Sequence, residues 1–138
     1  VGKPNSVEDQ KLVEVTKQSF FEALKYAKKG YRVGDISNAV YEYVTQNGFS
    51  ILREFQGHGI GREMHEDPGI PNYGKPGRGM RLEPGMTICI EPMVIAGNRE
   101  ILELDDGWTI VSRDGSNGAH YENTILITEN EPEILTKP

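Results

Sequence analysis

The run Met86-Thr87-Ile88-Cys89-Ile90-Glu91-Pro92-Met93-Val94 decides how the second half of this chain folds. It is apolar and rich in isoleucine. Strand alternation sets Thr87, Cys89 and Glu91 on one face and Ile88 and Ile90 on the other. A carboxylate that ends an apolar strand just before a proline has lost water without a cation beside it in sequence. It needs a partner, a proton or a metal, unless it stands at a solvated strand edge.

Similar strand patterns surround this run. Ser50 to Phe55, Trp108 to Ser112, Ala119 to Thr128 and Glu133 to Thr136 read as strands, punctuated by Gly107, Gly115 and Gly118. Residues 57–85 hold eight glycines and four prolines, which predicts a long irregular loop of the kind that usually carries function. Upstream of Gly48 the period is helical. Asn5 or Ser6 stands as the N-cap of a first helix, with Asp9 three residues after Ser6. Leu12, Val13, Thr16, Phe20, Ala23, Leu24 and Ala27 form its apolar stripe, Lys28 and Lys29 its last turn, and Gly30 its stop. A second helix is predicted from Asp35 as N-cap to Gly48, with Ile36, Ala39, Val40, Tyr43 and Val44 buried. Helices first and strands second predict an α+β fold, two helices packed on an antiparallel sheet, over residues 1–138 as a single region.

Composition narrows the function. The 138 residues carry 15 Lys+Arg against 21 Asp+Glu, a net charge of −6, which argues against a nucleic-acid or anionic-membrane binder. No apolar run approaches the roughly 18 residues of a membrane span. A single cysteine, Cys89, fits a reducing cytoplasm and lacks a sequence-local base that would make it a nucleophile.

Three places can carry chemistry. Gly57-His58-Gly59-Ile60-Gly61 holds a histidine in a glycine frame that lets other groups approach closely, and His65 follows seven residues on. Glu91 is the second place. Glu122, in Ala119-His120-Tyr121-Glu122-Asn123-Thr124, is the third; a glutamate inside a strand calls for compensation, although a solvated strand face also accommodates it. One imidazole and two carboxylates make a set of N and O donors suited to manganese, iron, cobalt or zinc. His120 faces the same way as Glu122, so strand geometry admits it as a further donor. The separations of 33 and 31 residues match no compact ligand motif.

The string from Gly57 to Pro68, then Glu83 to Ile88 running into Ile90-Glu91-Pro92-Met93, then Tyr121-Glu122-Asn123-Thr124, resembles the type I methionine aminopeptidases over essentially the whole chain. The resemblance implies one half of a pita-bread fold, the C-terminal part of a longer catalytic domain. It implies a dinuclear centre of divalent ions (cobalt, manganese, iron or zinc) with His58, Glu91 and Glu122 as ligands, Glu122 bridging and Glu91 also acting as general base. It further implies that His65 hydrogen-bonds the substrate amide, and that Trp108 and Met64 line the methionine pocket, Met64 standing where some relatives carry phenylalanine. The substrate would be a peptide or nascent chain beginning with methionine, met in the cytoplasm.

The type II enzymes carry a large helical insertion that has no room between His65 and Glu91. Prolidases and aminopeptidase P share the wider fold, but Met93 and the Tyr121 to Thr124 string differ from their pattern. The family's other two aspartate ligands and a further substrate-binding histidine lie upstream of Val1-Gly2-Lys3-Pro4, which resembles the segment after the second aspartate. Two further expectations follow: that the isolated chain is inactive, behaving as a non-catalytic binding module, and that it self-associates or needs an N-terminal half.

Overall fold

Ser6 starts the first helix. In the computed structural model, which describes residues 6–137, its backbone is extended and its Oγ accepts the Asp9 N–H at 3.0 Å. Asn5, the alternative cap, and the stretch 1–4 lie outside the described residues. Helix α1 (Val7–Leu24) buries Leu12, Val15, Thr16, Ser19, Phe20 and Ala23. The stripe therefore runs through Val15 and Ser19 and not through Val13, which is 51% exposed. The two buried hydroxyls are satisfied within the helix: Thr16 Oγ1 donates to Leu12 O and Ser19 Oγ to Thr16 O, both at 2.7 Å.

Helix α1 ends before Lys28, Lys29 and Gly30, so these lysines do not serve its dipole. They reach instead across to Glu131 and Glu129, each at 2.8 Å. Helix α2 (Val33–Gln46) begins earlier than predicted, with Arg32 as N-cap. Asp35 sits at its third position and reaches back, Oδ2 accepting the Arg32 N–H at 2.8 Å, while Oδ1 accepts from Gly77 N at 2.8 Å. The early start is possible because residue 34 is a glycine: a Cβ there would stand 2.4 Å from Lys75 O.

Among the described residues there are ten strands: β1 (Ser50–Ile51), β2 (Gln56–Gly59), β3 (Glu66–Pro71), β4 (Thr87–Ile90), β5 (Met93–Ile95), β6 (Ile101–Glu103), β7 (Ile110–Ser112), β8 (Gly118–His120), β9 (Asn123–Leu126) and β10 (Glu133–Ile134). They form a five-stranded sheet in the order β10-β9-β4-β2-β3, a three-stranded sheet β1-β5-β8 and a β6-β7 hairpin. All the pairings are antiparallel. The core joins the buried faces of α1 and α2 to Ile88 and Ile90, as the alternation predicted, and to Ile125 and Ile127.

Two sequence expectations fail here for physical reasons. The glycine-rich stretch is not one irregular loop: its glycines let strands β2 and β3 pack closely, and a Cβ on Gly57 would lie 2.2 Å from Cys89 O and one on Gly59 2.2 Å from Asp67 O. Trp108 is not core. It is 87% exposed on the β6–β7 turn, where Asp106 Oδ1 accepts the Trp108 and Thr109 N–H groups at 3.0 and 2.8 Å.

The predicted long strands are each divided in two. The register from Thr87↔Leu126 to Ile90↔Asn123 continues unslipped from Met93↔His120 to Ile95↔Gly118. One two-stranded ribbon thus crosses from the five-stranded to the three-stranded sheet, with Glu91 opposite Glu122 and Pro92 opposite Tyr121 at the crossing. The ladder lapses there because Pro92 has no N–H, although Tyr121 N still donates to Pro92 O at 3.2 Å.

Substitution of Gly57 by alanine drives a methyl group into the β4 backbone. We expect Gly57→Ala to destabilise the fold by about 2–3 kcal/mol, read as a fall of at least roughly 5 °C in thermal midpoint. An unchanged midpoint would show that β2 and β4 separate freely.

Candidate metal centre

The ribbon crossing puts donors in one place. Tyr121 packs toward the helices, its ring 5.2 Å from that of Phe20, so His120 and Glu122 turn to the opposite side. Glu91 is buried there, and its backbone carbonyl accepts from Asn72 Nδ2 at 3.0 Å. From the neighbouring strand β2, whose His58 lies in register with Cys89, His58 Nε2 comes to 3.2 Å from Glu91 Oε1. His120 Nε2 lies 3.6 Å from Glu91 Oε2 and 3.8 Å from Glu122 Oε2.

The His58 tautomer follows from its neighbour. Nδ1 lies 2.8 Å from Gly59 O, a carbonyl that can only accept, so Nδ1 carries the hydrogen and Nε2 is left to face Glu91. A bare nitrogen and a carboxylate oxygen at 3.2 Å repel unless a cation, a proton or a metal ion, lies between them. Two donor sets have all their atoms within 4.8 Å of one another: His58, Cys89 and Glu122, and Glu91, His120 and Glu122. Glu122 belongs to both, and the 3.2 Å between His58 Nε2 and Glu91 Oε1 matches neighbouring ligands around an ion with bonds of about 2.1 Å. The donors therefore fit divalent ions.

Two residues beside these carboxylates carried little weight in the sequence. His120 was admitted by strand geometry, and its pKa is raised, first by hydrogen bonding to Glu91 and further by the Glu91 and Glu122 charges, against an opposing effect of burial. Cys89 joins because strand pairing sets it between His58 and Thr124, whose Oγ1 lies 3.5 Å from its sulfur. Alternation had already put Cys89 on the Glu91 face, which was the available signal.

Of the remaining predicted residues, His65 is placed beside this cluster. The His65 ring stands 4.3 Å from that of His58, exposed at the start of the β3 hairpin arm, and both line an open cleft with Asp67. Met64 and Trp108 are 70% and 87% exposed, neither buried against the histidines.

Antiparallel sheets backed by two helices, with clustered imidazole and carboxylate donors at a strand crossing, are the features of the pita-bread fold. The chain belongs to metallopeptidase family M24, whose sequence model matches residues 1–129. It is 53% identical over 131 residues to a methionine aminopeptidase of Clostridium perfringens, covering 95% of this chain and 53% of that protein. The crystal structure of a methionine aminopeptidase from Thermotoga maritima superposes with a TM-score of 0.94 at 51% identity, covering 96% of this chain and 53% of that one. A prolidase from Pyrococcus furiosus superposes with a TM-score of 0.74 at 28% identity, over 100% of this chain and 35% of its own. The chain spans about half the length of the curated relatives it matches. Among the described residues no helix is long and apolar enough to cross a membrane.

Cys89 is 1% exposed, and burial, the largest influence, pushes its thiol pKa up from 9.0. Near neutral pH it should react with a thiol reagent at least about tenfold more slowly in the native chain than in denaturant. Equal rates would show that the β4 face opens readily.

Proposed function

We propose that this chain contributes half of the active site of a methionine aminopeptidase, which removes the first methionine from nascent proteins and peptides. The observation that carries the reading is the convergence of His58, Glu91 and Glu122 at the ribbon crossing, in a chain about half identical to proteins of that name. His58 would hold an ion through Nε2, and Glu91 and Glu122 through carboxylate oxygens; Glu122, common to both donor sets, would be the shared ligand. The ions are divalent: cobalt, manganese, iron or zinc. The chemistry they supply is an acidified water and a polarised scissile carbonyl.

The chain's own residues do the rest. Glu91, clamped at its backbone by Asn72, accepts the proton of the attacking water. His65, exposed beside His58, donates an N–H to the substrate amide. Met64 and Trp108, unburied here, give apolar surface to the methionine side chain. The cytoplasm is where such substrates arise.

Three of the five protein ligands that the resemblance implies occur in these 138 residues, so the isolated chain binds ions weakly. Manganese or cobalt should still raise its thermal midpoint, and His58→Ala should weaken that binding at least about tenfold. Binding that is indifferent to His58 would sink the ligand assignment.

Cleavage of a Met-Ala-Ser peptide by the isolated chain is expected to stay at background. Turnover abolished by a chelator would show that the missing ligands are supplied, by self-association or by a co-purified N-terminal half. A chain that cleaves Xaa-Pro peptides in preference to Met-Ala-Ser would overturn the substrate assignment.

A further inference from the structure

The two imidazoles at the crossing are not equivalent. His58 has its hydrogen fixed on Nδ1 by Gly59 O, which leaves Nε2 as an acceptor. His120 stands at the end of β8 with Nε2 facing one oxygen of each carboxylate, at 3.6 Å from Glu91 and 3.8 Å from Glu122. Glu91 is thereby divided: Oε1 turns to His58 and Oε2 to His120. Glu91 and Glu122 face one another across the ribbon with like charge, and a bare Nε2 between their oxygens would add a third acceptor. A hydrogen on Nε2 turns the same contact into attraction.

We propose that His120 is a positioning residue of this centre, whose Nε2–H straddles the outer oxygens of Glu91 and Glu122 and so holds Glu91 Oε1 toward His58. The proposal rests on the metal-centre reading above and assigns His120 a role distinct from ligation. Removing such a partner leaves the donors in place but unoriented, which typically costs about 10–100-fold in metal affinity.

The test uses the 15N-labelled chain and zinc, a diamagnetic ion, with long-range 1H–15N correlation of the imidazole rings. We expect His58 to carry its hydrogen on Nδ1 and His120 on Nε2 without metal. On zinc addition the His58 Nε2 resonance should shift, while His120 Nε2 stays protonated. His120→Ala should weaken zinc binding about 10–100-fold, whereas His120→Gln, whose amide offers an N–H in place of the imidazole's, should restore most of it.

A His120 Nε2 that becomes the zinc-bound nitrogen would overturn the proposal, and so would an alanine variant that binds zinc as tightly as the parent. The tautomer measurement needs no variant, so it decides even if His120→Ala does not fold. Zinc that leaves His58 Nε2 unmoved would instead sink the metal-centre reading and the proposal with it.

Discussion

The unslipped register of one antiparallel ribbon is the constraint on which the rest of the centre depends. Because the pairing of β4 with β9 and that of β5 with β8 are one register, Glu91 and Glu122 must face each other where the ribbon changes sheets. A slip of one residue in either strand would send that strand's carboxylate to the helix side, where Phe20 and Tyr121 pack. The apolar alternation of Ile88, Ile90, Ile125 and Ile127 opposes such a slip, since it would expose the two buried isoleucines of the strand that shifts. The hydrophobic core thus sets the spacing of the polar site without touching it.

Pro92 adds the second half of this constraint. Its missing N–H withdraws one ladder bond at the crossing, so the pair beside it can adjust without tearing a full set of hydrogen bonds. Asn72 then secures Glu91 from outside the ribbon. Close approach of β2 completes the cluster, and it is possible only because Gly57 and Gly59 carry no Cβ against their neighbours. A residue class that weakens strands is here the condition for bringing His58 to Glu91.

Local periodicity made much of this legible. The alternation in residues 86–94 placed Ile88 and Ile90 inward and Glu91 on the other face, and the helical stripe located Phe20 and Ala23 in the core. Non-local effects stayed hidden. Asp35 looked like a cap because its partner Gly77 lies far along the chain, and Lys28 and Lys29 looked like dipole partners because Glu131 and Glu129 do. Glycines 57 and 59 read as breakers because the backbone they admit comes from other strands. Trp108 read as the first residue of a strand, whereas Asp106 accepts its N–H and holds it in the turn before Ile110.

Burial divides the site in a way that fits the proposed chemistry. Glu91, Cys89 and most of His58 are enclosed by the sheet, so their geometry is set by packing and cannot follow a ligand. His65, Met64 and Trp108 stand on turns or at a strand start, open to solvent, where their side chains can adapt to whatever docks on them. A centre that activates water needs fixed donors, because the acidity of that water follows from their distances. A surface that reads a flexible methionine side chain needs the opposite. His120 lies on the boundary, partly exposed yet within reach of both carboxylates, which is the position from which a side chain can orient fixed donors without being one of them.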